Sequence, residues 1–397
     1  MRTLGYSRTF AIGTALTALA ALLATAGSAA SKPAGWRIVD LAKAAYGSEA
    51  NAINAHGDVI GRTWNRSETR TRAFVWRGGR LIPLGTLGGG SSQANAINDH
   101  GQIVGWAETS SGKTHAFLWE KGHMRDLGVP PGTDQSDAVR ITNSGLVVGV
   151  ASASVQGVVD LGPANHGHLV VWRRDGRIRD LGRPWNPNPD TATFIGAVNE
   201  HGEIVGTTVP DHVGERSFLW DGRSLRTLPP RNGRSKAVDV NEAGRVIGWT
   251  YRGDFRATTW ERGQMRLLPR APHRPGAFTN AISDKGEIVG YSWSNREIDD
   301  HATLWRNGTA IDLGTLGGKQ SEAAAINNRR QIVGVSETAL SNSQSPVWHA
   351  FVWQGGRMVD LGSGNPVAIN GRGQIIGSSA PYGSVPDTSH ARVWLPK

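Results

Sequence analysis

The side chains best suited to chemistry in this sequence lie in irregular stretches between regular ones. His212, Tyr251, Arg252, His273 and Arg274 fall in "PDHVGERS" (210–217), "TYRGDFRA" (250–257) and "PRAPHRPGAF" (269–278). Arginine near histidine or tyrosine is what cleavage of an acidic polysaccharide requires. The guanidinium neutralises a uronate carboxylate, and the imidazole or phenol takes the proton. If the chain is an enzyme, these five are its candidate catalytic residues, and it is a lyase or hydrolase. A second set could bind without reacting. Trp64, Tyr251 and Trp293 each stand three residues after a glycine inside an apolar segment, while His166, Trp185 and Trp348 lie in loops outside that pattern. Aromatic faces can stack on flat or ring-shaped ligands. Ordinary edge packing is the alternative for the first three; Trp185 and Trp348 are expected as exposed anchors.

Several chemistries have no support. The chain has no cysteine, which excludes a thiolate nucleophile and a cysteine-based zinc site. No nucleophile elbow, HExxH, phosphate-binding loop or acidic calcium loop occurs. "EIDDH" (297–301) places two acids beside a histidine, but at no metal-binding spacing, so neither a metal nor a cofactor is expected. Missing linear motifs do not exclude a site assembled from distant segments.

What could position such residues is a repeat. "AINDHGQIVG" at 96–105 is one of eight variant copies, the central position falling at Gly57, Gly101, Gly145, Gly202, Gly244, Gly286, Arg330 and Gly373. The steps are 44, 44, 57, 42, 42, 44 and 43 residues, the period of a four-stranded propeller blade. A segment of the "HAFVW" kind follows each copy, its Trp falling at 76, 119, 172, 220, 260, 305, 353 and 394, and then a segment of the "RMVDLG" kind. Short β-rich segments with Gly or Asn between them read as strands a, b, c and d of a blade. The tight a–b turn needs a glycine with positive φ, so the turn at Arg330 is expected to differ in shape.

The chain ends support closure. The eighth unit stops at "HARVWLPK" with no strand d, whereas "WRIVDL" (36–41) is a strand d with no unit before it. Pairing the two leaves no open edge. The expectation is an all-β, eight-bladed propeller over residues 31–397, sealed by residues 36–41. The rival, an open solenoid, gives no reason for complementary half-units. Alternation places the variable b–c and d–a loops at one end of the ring and the short a–b and c–d turns at the other. Function is expected at the variable end. The residue four before each motif Trp is always His or Arg, from Arg72 to His390, and is read as a packing donor inside its own blade.

Residues 1–30 form a separate element. Arg2 and Arg8 precede an apolar run at 11–23 and then small residues, with cleavage expected near Ala26 or Ala30. This is a secretory signal pattern, and its apolar run is shorter than the roughly 20 residues of a membrane span. The mature chain is expected to be exported, with no membrane span. The formal charge of +10 falls to +8 once the signal is removed. A basic exported protein attracts polyanions, but no Lys/Arg run marks a specific nucleic-acid site. No pattern in the chain sets an oligomeric state.

"HAFLW" (115–119), "HAFVW" (349–353), "DLGTLGG" (312–318) and the AINxxGxIVG copies resemble the HAF-repeat family of exported proteins over essentially the whole mature chain. The resemblance implies a secreted β-repeat protein and carries no catalytic residues. Three functions fit. The leading one is a binding protein for an acidic polysaccharide or another extracellular protein. The others are a polysaccharide lyase or hydrolase, and a structural surface protein.

Overall fold

A computed structural model describes residues 35–43, 45–67, 70–153, 167–184, 192–209, 214–230, 232–294, 299–341, 346–380, 382 and 389–397. These contain 32 strands in eight four-stranded antiparallel sheets and no helix. Seven sheets are consecutive. Blade 1 is Gly47–Ile53, Val59–Trp64, Thr71–Arg77 and Arg80–Pro83, and blades 2 to 7 repeat that order. Blade 8 is composite. Its strands Asn365–Ile369, Ile375–Ser378 and Ala391–Pro396 are completed by Trp36–Asp40. Trp36 pairs with Pro396 and Asp40 with Arg392, and Leu41 N–H donates to Ala391 O at 2.8 Å. The chain is an eight-bladed β-propeller, closed as its sequence predicts.

Strand a lies innermost, touching strand a of both neighbours around the ring. An asparagine near its end makes the contact specific. Asn54 Nδ2 donates to Asn98 O (3.2 Å), Asn98 to Thr142 O (3.0 Å), Asn199 to Asn241 O (3.2 Å) and Asn327 to Asn370 O (3.0 Å). Asn370 then donates to Asn54 O at 3.0 Å and joins the last blade to the first. The repeated Asn of the sequence motif is therefore a link between blades as well as a turn residue.

Apolar packing fills the space between neighbouring sheets. Ile60 and Val75 of blade 1 share one cluster with Ile103, Phe117 and Trp119 of blade 2. Trp172, Trp260, Trp305 and Trp394 are at most 2% exposed, each contributing about 1.5–3 kcal/mol by burial. Trp260 and Trp305 also donate Nε1–H to Pro229 O (2.6 Å) and Pro269 O (2.8 Å) on the preceding blade. In strand b, a Cβ on Gly105 would lie 1.9 Å from Gln93 O, so that position tolerates no side chain.

One expectation is corrected. The turn at Arg330 has the shape of the others. Its φ is 64° against 72–91° for the seven glycines, and Arg330 N–H donates to Asn327 O at 3.0 Å as Gly101 does to Asn98 O at 3.1 Å. The ring imposes one turn geometry, and the arginine adopts it.

Candidate ligand-binding seam and channel

The recurring His of strand c is a structural latch. Nδ1 of His115, His168, His301 and His349 lies 2.6–2.9 Å from a carboxylate oxygen of Asp126, Asp180, Asp312 and Asp360. The same aspartates accept the N–H of Gly128, Gly182, Gly314 and Gly362 at 2.7–2.8 Å. The His of "HAF" and the Asp of "DLG" thus lock strand c to strand d. Blade 8 departs from this: Arg392 replaces the Phe, and its Nε takes Asp40 at 2.7 Å.

Arg274, a candidate catalytic residue, belongs to one of these latches. Only 10% of its side chain is exposed; its guanidinium donates to Asp299 O and pairs with Asp299 (3.3 Å) and Asp312 (3.5 Å). Burial would raise the Asp312 carboxyl, but hydrogen bonds from His301 and Gly314 and the charges of His301 and Arg274 hold it below the usual carboxylate range. Arg252 is exposed and donates to Asn232 O at 3.2 Å. His273 is exposed in a tight turn at φ 60°. Among the described residues, Tyr251, Arg252, His273 and Arg274 share no hydrogen bond or ion pair. His212, His166 and Trp185 lie outside the described residues.

The structure gathers Tyr251 and Trp293 into one feature. Trp249, Tyr251 and Phe255 of blade 5 meet Phe278, Tyr291 and Trp293 of blade 6 at the seam between the two sheets. Ring centroids are 4.7 Å apart for Tyr251–Phe255, 5.1 Å for Phe255–Phe278 and 5.0 Å for Phe278–Trp293, with tilted or edge-on planes. All six rings are half-buried. They occupy the end of the ring carrying the variable loops. Strand alternation explains the grouping: Trp249 and Tyr251 are two residues apart on strand b and share a face, as do Tyr291 and Trp293. The exposed Lys236 is in register with Trp249, and the exposed Phe194 holds the corresponding place on blade 4.

The other two aromatic candidates differ. Trp64 covers Gly47, where a Cβ would lie 2.2 Å from the indole, and has Arg62 Cζ 5.8 Å from its ring centroid. Trp348 was expected as an exposed loop anchor. It is instead the first residue of strand Trp348–Gln354, 9% exposed, with its ring 4.8 Å from Tyr382. Pairing with Glu337 carries the sheet one residue past the repeat and draws the indole in.

Sequence reasoning missed the channel. Where strand a carries alanine in six blades, it carries Arg140 in blade 3 and Asp239 in blade 5. Arg140 donates to Gly196 O at 2.8 Å, and Asp239 accepts from Ile282 N–H at 3.0 Å. Burial pushes Asp239 up to about 6, opposed by those backbone donors and by the Arg140 charge. Nearby, Asp137 is 7% exposed and pushed by burial to about 7, although Asn95 donates to it at 2.7 Å. Arg140 and Asp239 keep partial contact with solvent in the channel, which screens their charges. The signal was present: "RIT" and "DVN" stand where the other six copies begin with Ala. No group of three or more potential metal ligands occurs among the described residues, nor any helix long and apolar enough to cross a membrane.

No protein-family model matches the chain, and no curated protein matches it. Solved structures do resemble it. The acylaminoacyl peptidase of Pyrococcus horikoshii is 10% identical at a TM-score of 0.49, covering 79% of this chain, which spans 52% of the peptidase. The propeller domain of the Trilobed protease from Pyrococcus furiosus, described as having an open velcro topology, is 11% identical at TM-score 0.50, with 80% and 96% of the two chains covered. The oligogalacturonate lyase of Vibrio parahaemolyticus is 9% identical at TM-score 0.50, with 90% and 93% covered. At such identities the likeness concerns the fold alone, and it is the two structures at TM-score 0.50 that share this chain's architecture.

Proposed function

We propose that this is an exported binding propeller that holds an acidic glycan at the seam of blades 5 and 6. The observation that carries the reading is the cluster of six half-buried rings at the variable-loop end, flanked by the exposed cations Lys236 and Arg252. Half-buried aromatic faces held by neighbouring rings offer sugar-stacking surface at little ordering cost. The cations supply complementarity to carboxylates, and residues 1–30 supply the export signal. The lyase reading loses Arg274, whose guanidinium is committed to Asp299 and Asp312.

The test is migration of the mature protein through gels cast with polygalacturonate, alginate or a neutral glucan, stained afterwards for polymer. The expected result is retardation by the acidic polymers that fades with salt, leaves them intact, and weakens in Lys236→Gln and Trp293→Ala. Lys236→Gln, an exposed change, guards against misfolding of the tryptophan variant. Cleared polymer around the band would make the protein an enzyme. Unretarded migration would overturn the glycan reading.

A further inference from the structure

The opposite end of the ring carries the short a–b and c–d turns. Between blades 3 and 4 it contains a cleft of about 340 Å³, lined by Arg173, Arg174 and Arg179 with His201, Glu200 and the edge of Trp220. The three arginines come from a single hairpin, "WRRDGRIRD" (172–180), and all are exposed.

What distinguishes this hairpin is that its acids are already engaged, whereas three of its four arginines are in no ion pair among the described residues. Asp180 takes His168 at 2.6 Å and Gly182 N–H at 2.7 Å. Asp175 lies 3.6 Å from Arg177. Glu200, the carboxylate in the cleft wall, accepts Asn143 N–H at 2.9 Å. Among the described residues, no ion pair reaches Arg173, Arg174 or Arg179. Arg179 instead lies 4.7 Å from the centroid of Trp220, which fixes its plane beside the cleft.

Comparison between blades explains the unpaired Arg173. Its position faces the residue after the turn glycine, and in four other blades the two are complementary: Asp58 with Arg77 (2.8 Å), Gln102 with Glu120 (2.9 Å), Arg245 with Glu261, and Gln331 with Gln354 (2.9 Å). In blade 3 the residue after the glycine is Leu146, which cannot pair. The repeat is broken so as to leave a guanidinium free beside a cleft.

We propose that this cleft is a second, independent binding site for a compact sugar acid, one pyranose carrying carboxylate or sulfate groups. The volume lies at the lower end of ligand pockets. Exposed guanidiniums suit a carboxylate or sulfate bidentately. The site lies at the other end of the ring from the aromatic seam and does not depend on it.

The experiment is calorimetric titration of the mature protein with trigalacturonate, a sulfated trisaccharide and uncharged maltotriose at 50 mM and 300 mM salt. Both charged trimers, or one of them, are expected to bind, more weakly at high salt, and maltotriose not at all; which trimer binds identifies the anionic group. Arg173→Ala with Arg174→Ala is expected to lower affinity tenfold or more, the double lysine variant to recover part of it, and Arg80→Ala with Arg266→Ala, removing equal charge elsewhere, to change it less than twofold. Thermal melts confirm that each variant folds. Equal losses in both alanine pairs would reduce the effect to diffuse charge and overturn the site. So would loss on Lys236→Gln alone, which would place the trimers at the seam, or the absence of binding by either charged trimer.

Discussion

Arg330 Nε lies 2.7 Å from Glu287 Oε1, joining the a–b turn of blade 7 to that of blade 6. Glu287 is 4% exposed, whereas the arginine side chain is 55% exposed. At every other turn this position is glycine, so Arg330 accepts a strained φ of 64° in order to cover a buried carboxylate. Arg330→Gly should relieve roughly 1 kcal/mol of backbone strain and still lower stability. Removing one partner of a buried pair costs about 3–5 kcal/mol, and less here because Arg330 is half in water. We expect a net loss of about 1–2 kcal/mol in urea unfolding. Arg330→Gly with Glu287→Gln should recover most of it; an unchanged loss in the double variant would show that the pair is not the cause.

The His–Asp latches make a pH prediction. Asp312 has a folded-state carboxyl below its ordinary value of 3.8, so the native state binds fewer protons than the unfolded chain near that pH. Its stabilisation is fully present above about pH 5 and is lost as pH falls through the lowered value. Asp312→Asn should therefore destabilise the protein at pH 6 by about 1–2 kcal/mol, and the gap should narrow toward pH 3. Denaturant midpoints measured across that range decide it, and a constant gap would exclude the ionised carboxylate as its source.

Asp137 behaves in the opposite sense. Its carboxyl is pushed from 3.8 to about 7, so between those values the native state binds the extra proton and stability falls as pH rises. Asp137→Asn, which can still accept from Asn95, should flatten that fall. Relative to the parent chain it should gain on the order of 1–3 kcal/mol by pH 8, with little difference at pH 4. Equal stability at pH 8 would mean that the charged form is well solvated in the folded protein.

Closure by residues 36–40 should govern cooperativity. Without this strand, the edge of Ala391–Pro396 is open and the cover over Trp394, fully buried in the closed ring, is lost. A chain beginning at residue 42 should unfold at markedly lower urea and associate through the exposed edge. Trp36→Ala, which removes one buried side chain without opening the ring, should cost only about 3–5 kcal/mol. Light scattering and melting curves distinguish the two variants.

The architecture was legible in the sequence because it is written eight times. A period of 42–44 residues at six of the seven steps, strand-length apolar segments and complementary half-units at the two ends point to a closed ring, which the sheets form. The His and Trp of strand c could be assigned to packing on the same ground, since what every blade repeats every blade needs. Trp348 could not be placed, because its burial depends on sheet pairing with Glu337 that extends one residue beyond the motif. Arg274 could not either, because the aspartates that hold it lie 25 and 38 residues further along. Tyr251 and Trp293 were recognised singly. That they form one seam with Trp249, Phe255, Phe278 and Tyr291 follows only when two blades pack face to face. The charges of Arg140 and Asp239 were visible as departures from the repeat, but their meeting at the channel required the ring. Repetition in a sequence sets local geometry and its own closure, whereas contacts between unlike residues of different blades arise only from packing in three dimensions.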